Sequence, residues 1–132
     1  MKEIDKLAWI EIQDGKILST RSHGREKYYI PGGKREVGET DSQALCREIK
    51  EELQVDLDPA SLAFFGTFQA QADAHDEGIL VKMTCYTGSY RGSLSPAAEI
   101  AEMQWLTLDD MDRISAVDRL IFSFLAKKGM LG

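Results

Sequence analysis

The sequence predicts an α/β fold in which a mixed β-sheet is sandwiched between two helices. Two separate stretches, residues 41–53 and the segment after Ser115, place apolar residues at helical spacing. Several short apolar or alternating runs bounded by Gly, Pro and Asp read as strands. The chain of 132 residues, with 43% hydrophobic content, is long enough to bury a core. The expected organisation is therefore one domain over residues 1–132, with strands flanked by two substantial helices.

Taken in order, Leu7–Ile12 is apolar and reads as a strand, Asp14-Gly15 is a hairpin signal, and Lys16–Thr20 would return antiparallel. Tyr28-Tyr29-Ile30 reads as a short strand closed by Pro31-Gly32-Gly33. Thr40 followed by Gln43 is a capping-box pattern for the first helix, with Asp41 adding negative charge to its first turn. Leu45, Ile49 and Leu53 form its apolar stripe, with Cys46 beside it. Phe64–Ala70 and Ile79–Tyr86 read as strands, the second with Val81, Met83 and Cys85 alternating on one face. The polar stretch from Gln71 to Gly78 between them reads as a loop. Met103–Leu108, carrying Trp105 and Leu106, is the last strand. Ser115 then caps a helix with Val117, Leu120, Ile121, Phe124 and Leu125 on one face.

Composition narrows the function. Three prolines and no low-complexity tract argue against linkers or a disordered tail. Cys46 and Cys85 sit in apolar-patterned segments and read as reduced core residues. There is no signal peptide or long apolar run, so no membrane association and a cytoplasmic location are expected. The net charge of −6 disfavours nucleic acid as a partner. Small anionic substrates remain compatible, because a bound divalent cation can invert the local field.

Residues 33–55 carry the chemistry. Glu48, Glu51 and Glu52 stand at i, i+3 and i+4, so on a helix they share one face next to the apolar stripe. Like charges so placed destabilise a helix unless a cation resolves them, and hard divalent ions such as magnesium take oxygen ligands of this kind. The glycines ahead of the helix leave carbonyls near these carboxylates, which makes the Gly32 carbonyl a candidate ligand. The plainer alternative is a solvated face held by ion pairs such as Arg47 to Glu51. The wider pattern argues against it: Gly33, Glu39, Arg47-Glu48, Ile49 and Glu51-Glu52 keep a fixed spacing.

This segment resembles the signature of the Nudix hydrolases: Gly, five residues, Glu, seven residues, Arg-Glu, an aliphatic, one residue, Glu-Glu, one residue, Gly, an aliphatic. One position departs, because Gln54 stands where that family has glycine. A glycine there suits a left-handed helix exit, which costs a non-Gly residue roughly 1–2 kcal/mol. The resemblance implies an α/β/α sandwich and hydrolysis of a nucleoside diphosphate linked to another moiety. It implies Mg2+ or Mn2+ held by Glu48, Glu51 and Glu52, with the Gly32 carbonyl as a further donor. Arg47 would orient a glutamate, and Glu39 would tie the loop to the helix and could contribute to the metal site through water. It also leaves room for a homodimer.

The general base in that family is a motif glutamate, here Glu51 or Glu52, or a carboxylate on a later loop, here Glu99 or Glu102. Asp76 and Glu77 are weaker candidates. Each downstream acid could equally be a solvated residue near a strand. Arg21, Arg25, Lys27, Lys34 and Arg35 precede the helix and could pair with phosphates, although solubilising surface cations are the commoner reading. Trp9, Tyr28, Tyr29, Phe64, Phe68 and Trp105 could stack a base, yet aromatics in strands usually pack the core. His23 and His75 read as exposed loop residues. ADP-ribose hydrolases of the family tend to carry a proline fifteen residues after the motif, where this chain has Ala70, and the tyrosine accompanying dinucleoside polyphosphate hydrolysis is missing from residues 71–73. The expectation is a nucleoside triphosphate substrate, including oxidised ones. Hydrolysis of ADP-ribose or nucleotide sugars, and a non-catalytic nucleotide sensor of the same fold, are the alternatives; the intact set Glu39, Glu48, Glu51 and Glu52 favours catalysis.

Overall fold

The computed structural model describes residues 2–72 and 78–132. Along the chain run β1 (Lys2–Trp9), β2 (Ile12–Gln13), β3 (Lys16–Ser22), β4 (Gly32–Gly33), α1 (Asp41–Leu53) and β5 (Asp56–Leu57). Next come β6 (Ala63–Gln71), β7 (Ile79–Thr87), β8 (Tyr90–Arg91), β9 (Ile100–Leu106) and α2 (Ala116–Lys127). Short 3-10 turns occupy Pro59–Ser61 and Leu108–Arg113. His75, Asp76 and Glu77 lie outside the described residues. Among the described residues, no helix is long and apolar enough to cross a membrane.

A four-stranded mixed sheet has the order β4-β1-β7-β6, and β2-β3-β9 and β5-β8 form two smaller antiparallel sheets. β1 runs parallel to β7 and antiparallel to β4. The pleat of β1 divides the core. Leu7 and Trp9 join Ala44, Leu45, Ile49 and Leu53 of α1, while Ala8 and Ile10 join Val117, Ile121, Phe122 and Leu125 of α2. Each large apolar side chain removed from water here contributes about 1.5–3 kcal/mol. One strand thus feeds two cores, and the result is an α/β/α sandwich.

Several elements differ from expectation, each for a reason in the pairing. The first strand begins at Lys2, because β7 pairs with β1 in register from Lys2↔Ile79 to Trp9↔Tyr86, carrying polar residues such as Asp5 opposite Lys82. The chain leaves that sheet at Ile10, so the Asp14-Gly15 turn joins β2 to β3 and not β1 to β3. Both turn residues have positive φ, 53° and 75°, as a tight hairpin of this hand requires. Tyr28-Tyr29-Ile30 makes only single bridges, to Thr20 and Ile114, and the paired residues are Gly32 and Gly33 themselves. The last strand ends at Leu106, since Thr107 caps the 3-10 turn after it. On α2, Phe122 is buried, whereas Leu120 and Phe124 are 48% and 37% exposed. The buried stripe is rotated by one residue, and Phe124 instead meets Phe65 and Phe68 edge-on.

Helix α1 spans the expected residues, and its capping box is complete: Thr40 Oγ1 accepts from the Gln43 amide at 3.1 Å and Gln43 Oε1 accepts from the Thr40 amide at 3.0 Å. Gln54 ends the helix in the left-handed region at φ 60°, ψ 29°. Its side-chain amide donates to the Ser95 carbonyl at 3.4 Å, a long and exposed bond. The strain of a non-Gly left-handed residue, roughly 1–2 kcal/mol, exceeds the roughly 0.5–1.5 kcal/mol of a typical hydrogen bond. Gln54→Gly is therefore expected to leave the melting temperature unchanged or raise it slightly; a clear drop in thermal denaturation would show that the Ser95 tether outweighs the strain.

Candidate active site

The two glycines ahead of α1 are required by close approach. Gly32 has φ 149°, and a Cβ there would fall on the Leu7 carbonyl oxygen. A Cβ on Gly33 would sit 2.5 Å from Glu48 Oε2, so only glycine lets that carboxylate press against the strand. The segment leading into them is pinned on two sides. Thr20 and Tyr29 exchange backbone hydrogen bonds at 2.8 and 2.7 Å, and the Ile30 amide donates to Asp118 Oδ2 at 2.9 Å from the start of α2.

Arg47 gathers the acidic residues of the motif. Its Nε and Nη2 donate to the two oxygens of Glu39, both at 2.8 Å, and Nη1 donates to Glu48 Oε1 at 2.8 Å. Nη2 also reaches the Lys34 carbonyl at 3.2 Å. Fork geometry of this kind suits a guanidinium and not an ammonium. The Arg47 hydrogen bonds, and after them that from the Glu36 amide, hold Glu39 down to about 2. Arg47 Nη1 also lies 3.5 Å from Glu51 Oε1, and the Glu51 side chain is 54% exposed.

Glu52 stands in the opposite situation. It is buried, and burial first, then the hydrogen bond to Glu48 and the Glu48 charge, push its carboxyl up to about 9. A backbone hydrogen bond from Gly32 works against that rise, while the charge of Glu99 adds to it. Two carboxyl groups held this close cannot both stay ionised unless a proton or a cation lies with them. Among the described residues, no three His, Cys, Asp or Glu side chains converge into a ready-made metal cage. Glu48 and Glu52 meet, and Glu51 is turned toward Arg47. The oxygen-only donors fit a hard divalent cation, whose charge would favour the ionised form of the buried Glu52 beside Glu48.

Beside the pair opens a cleft of about 450 Å³. Its sheet wall is Ile4 and Lys6 from β1, Val81 and Met83 from β7, and Thr20 and Ser22 from β3. His23, Arg25, Tyr29, Gly32, Gly33, Glu52 and Glu99 also line it. The loop bearing Glu99 is tied to the end of α1, where the Ser95 amide donates to the Leu53 carbonyl at 3.0 Å and the Ala97 amide to the Glu52 carbonyl at 2.9 Å.

Of the sequence candidates, Gly32, Glu52, Glu99 and Arg25 come together on this cleft. Glu102 is absent from its lining; its carboxylate accepts from the Tyr28 hydroxyl and from Arg21 Nε. Arg35 is engaged elsewhere, donating to Asp41 at 2.5 Å and Asp5 at 3.0 Å, and neither Lys27 nor Lys34 lines the cleft. Trp9 is a core residue that donates to the Gly88 carbonyl at 3.1 Å, whereas Tyr29 is the candidate aromatic that reaches the cleft. Lys6 and Ser22 were not singled out by the sequence. Lys6 would have been found by extending the alternation from Ile4, which requires knowing that β1 starts at Lys2.

The family model for the NUDIX domain matches residues 5–125. The chain belongs to the Nudix family. A curated relative, the uncharacterized Nudix hydrolase YvcI of Bacillus subtilis (strain 168), is 27% identical over 121 residues, covering 89% of this chain and 77% of the relative. Among solved structures, the E. coli ORF135 protein is 25% identical with a TM-score of 0.73, covering 97% of this chain and 92% of that one. The MutT Nudix hydrolase of Burkholderia pseudomallei shares the fold at a TM-score of 0.72 and 20% identity, covering 93% and 98%. Nudix hydrolases act on pyrophosphate bonds and generally need divalent metal ions.

The Glu52 carboxyl has a testable consequence in metal-free protein. Its folded-state value lies above its unfolded one, so the stability it contributes is complete at acid pH and is lost as pH rises toward about 9. With chelator present, Glu52→Gln should gain in melting temperature relative to wild type between pH 5 and pH 8, and added magnesium should shrink that gain. A difference that is flat with pH would show that Glu52 is ionised throughout.

Proposed function

We propose that this Nudix protein hydrolyses nucleoside triphosphates, including oxidised ones, to the monophosphate and pyrophosphate with Mg2+ or Mn2+. The observation that carries this reading is the buried Glu52, hydrogen-bonded to Glu48 and lining the cleft, with a further carboxylate, Glu99, on the same lining. Glu48 and Glu52 would hold the metal, with the Gly32 carbonyl as a further donor and Glu51 joining them once its side chain leaves Arg47. When bound, the metal neutralises phosphate oxygens and makes a ligated water more acidic.

The remaining work belongs to the chain. Arg47 fixes Glu48 and, through Glu39, keeps the loop against the helix. Ile4, Val81, Met83 and Tyr29 offer an apolar and aromatic surface for a base. Arg25 and Lys6 place positive charge where the phosphates would lie. Glu99 takes the proton from the attacking water. It lines the cleft, its charge is felt by Glu52, and its side chain has no partner among the described residues. Glu51, by contrast, is occupied with Arg47, and Glu52 with Glu48. The choice of triphosphates over ADP-ribose rests on Ala70 standing in place of the proline typical of those hydrolases. A non-catalytic sensor is disfavoured by the complete set of motif glutamates.

The test is release of phosphate or pyrophosphate from canonical and oxidised nucleoside triphosphates, ADP-ribose, nucleotide sugars and dinucleoside polyphosphates, with and without magnesium or manganese. Metal-dependent release of pyrophosphate from triphosphates supports the reading, and turnover confined to another class would replace the substrate. Glu52→Gln should lose activity through the metal, so that raising the metal concentration restores part of it. Glu99→Gln should lower kcat by about 10²–10⁴-fold, the usual contribution of a general base, with metal affinity intact. A Glu99→Gln enzyme running at the wild-type rate would remove Glu99 from the mechanism.

A further inference from the structure

We infer that Glu102 is a positioning residue for substrate: it orders the turn at residues 22–25 that forms the cleft mouth, and takes no part in proton transfer. This rests on the hydrolase reading above and assigns a role to a carboxylate lying outside the cleft.

The pairing of β3 with β9 contains a register fault. β3 and β9 pair regularly from Ile17↔Leu106 to Arg21↔Glu102, but the next pair is Ser22↔Ile100. Ala101 is the extra residue of a bulge, and a bulge bends its strand and redirects the chain on either side. Beyond the bulge the chain turns back on itself. The Arg25 amide donates to the Ser22 carbonyl at 3.1 Å, and Gly24 supplies φ 78°. This turn carries Ser22, His23 and Arg25, all of which line the cleft.

Two further bonds hold the turn. Arg21 Nη1 donates to the Arg25 carbonyl at 3.1 Å, and the His23 amide donates to the Glu99 carbonyl at 2.9 Å. Arg21 is in turn oriented by Glu102, whose Oε1 accepts from Arg21 Nε at 3.3 Å and from the Tyr28 hydroxyl. An exposed Arg–Glu pair alone would contribute little, because ordering two long side chains offsets the gain. Here one end is already ordered. Tyr28 is 4% exposed, its amide donates to the Arg113 carbonyl at 2.8 Å, and the Arg113 guanidinium lies 4.8 Å over its ring. Order therefore passes from the buried Tyr28 ring through Glu102 and Arg21 to the backbone that presents Arg25. Through His23 the same turn is fastened to the Glu99 backbone.

The experiment combines amide hydrogen exchange with steady-state kinetics on Glu102→Ala, Glu102→Gln and Tyr28→Phe. In Glu102→Ala, the His23 and Arg25 amides should exchange faster while those of α1 keep their protection, which also reports that the variant is folded. KM for the best nucleotide should rise roughly tenfold, about the worth of one charge-assisted hydrogen bond. kcat and its pH profile should stay within about twofold, as expected when only binding shared by ground and transition states is lost. Glu102→Gln keeps an oxygen able to accept from both partners and should recover most of the loss, whereas Tyr28→Phe should reproduce part of it. Unchanged KM and kcat beside faster exchange would make the network merely structural and overturn the proposal. A collapse of kcat with an altered pH limb would make Glu102 catalytic and overturn it as well. If wild-type protein turned over no nucleotide, the hydrolase reading would fail on its own, and unchanged exchange of the His23 and Arg25 amides would still refute the ordering role.

Discussion

Two carboxyl groups of α1, Glu48 and Glu52, share a hydrogen bond beside Gly32 and Gly33, and most features of the site arise from accommodating them. In an apolar setting a pair of carboxylates cannot both remain charged without compensation, and the cost of burial is several kcal/mol per ion. Glu52 has a Gly32 amide on one side and the field of Glu99 adding to the repulsion. Local conflicts of this kind are concentrated at functional sites.

The surrounding residues divide the charge between two roles. Glu39 is satisfied by a bidentate guanidinium and stays ionised to low pH, so it acts as a strut between loop and helix. Arg35 plays a comparable part on the other side of the loop, bridging Asp41 and Asp5, while the Tyr86 hydroxyl donates to Asp41 at 2.6 Å. The loop between β4 and α1 is thereby fastened to the helix start, to β1 and to β7. With loop and helix held, Glu48 and Glu52 are kept together in a shared hydrogen bond. The glycines complete the arrangement: without a Cβ at position 33, Glu48 can lie flat against the strand.

Both ends of α1 could be read because their determinants are local. A capping box needs only residues three apart, and the exit at Gln54 adopts the left-handed geometry that the motif glycine would have provided. The spacing of Glu48, Glu51 and Glu52 likewise fixes a shared face, since helix periodicity is independent of context. What their positions on one face do not fix is rotamer and partner. Glu48 meets both Glu52 and Arg47, whereas the exposed Glu51 faces Arg47. The strands were less legible at their ends. β1 extends through Lys2, Glu3 and Asp5 because a parallel partner far along the chain pairs with its backbone, and backbone pairing leaves no trace in hydropathy.

The sequence by itself determined the family motif, the helix that carries it, the α/β/α layering and the spacing of the carboxylates, because all of these arise from short-range spacing and from a binary apolar pattern. Tertiary structure alone decided which residues share the cleft. Lys6, Ser22, Arg25, Tyr29 and Glu99 come from separate strands and loops, and only the sheet order and the bulge between Arg21 and Ser22 bring them to one wall. It also separated Glu99 from Glu102. They lie close together and look alike in sequence, yet the turn before β9 sets Glu99 on the cleft and the register of β9 sets Glu102 on Tyr28 and Arg21. Residues distant in sequence meet through long-range pairing, and that information is spread over the whole chain and not held in any local window.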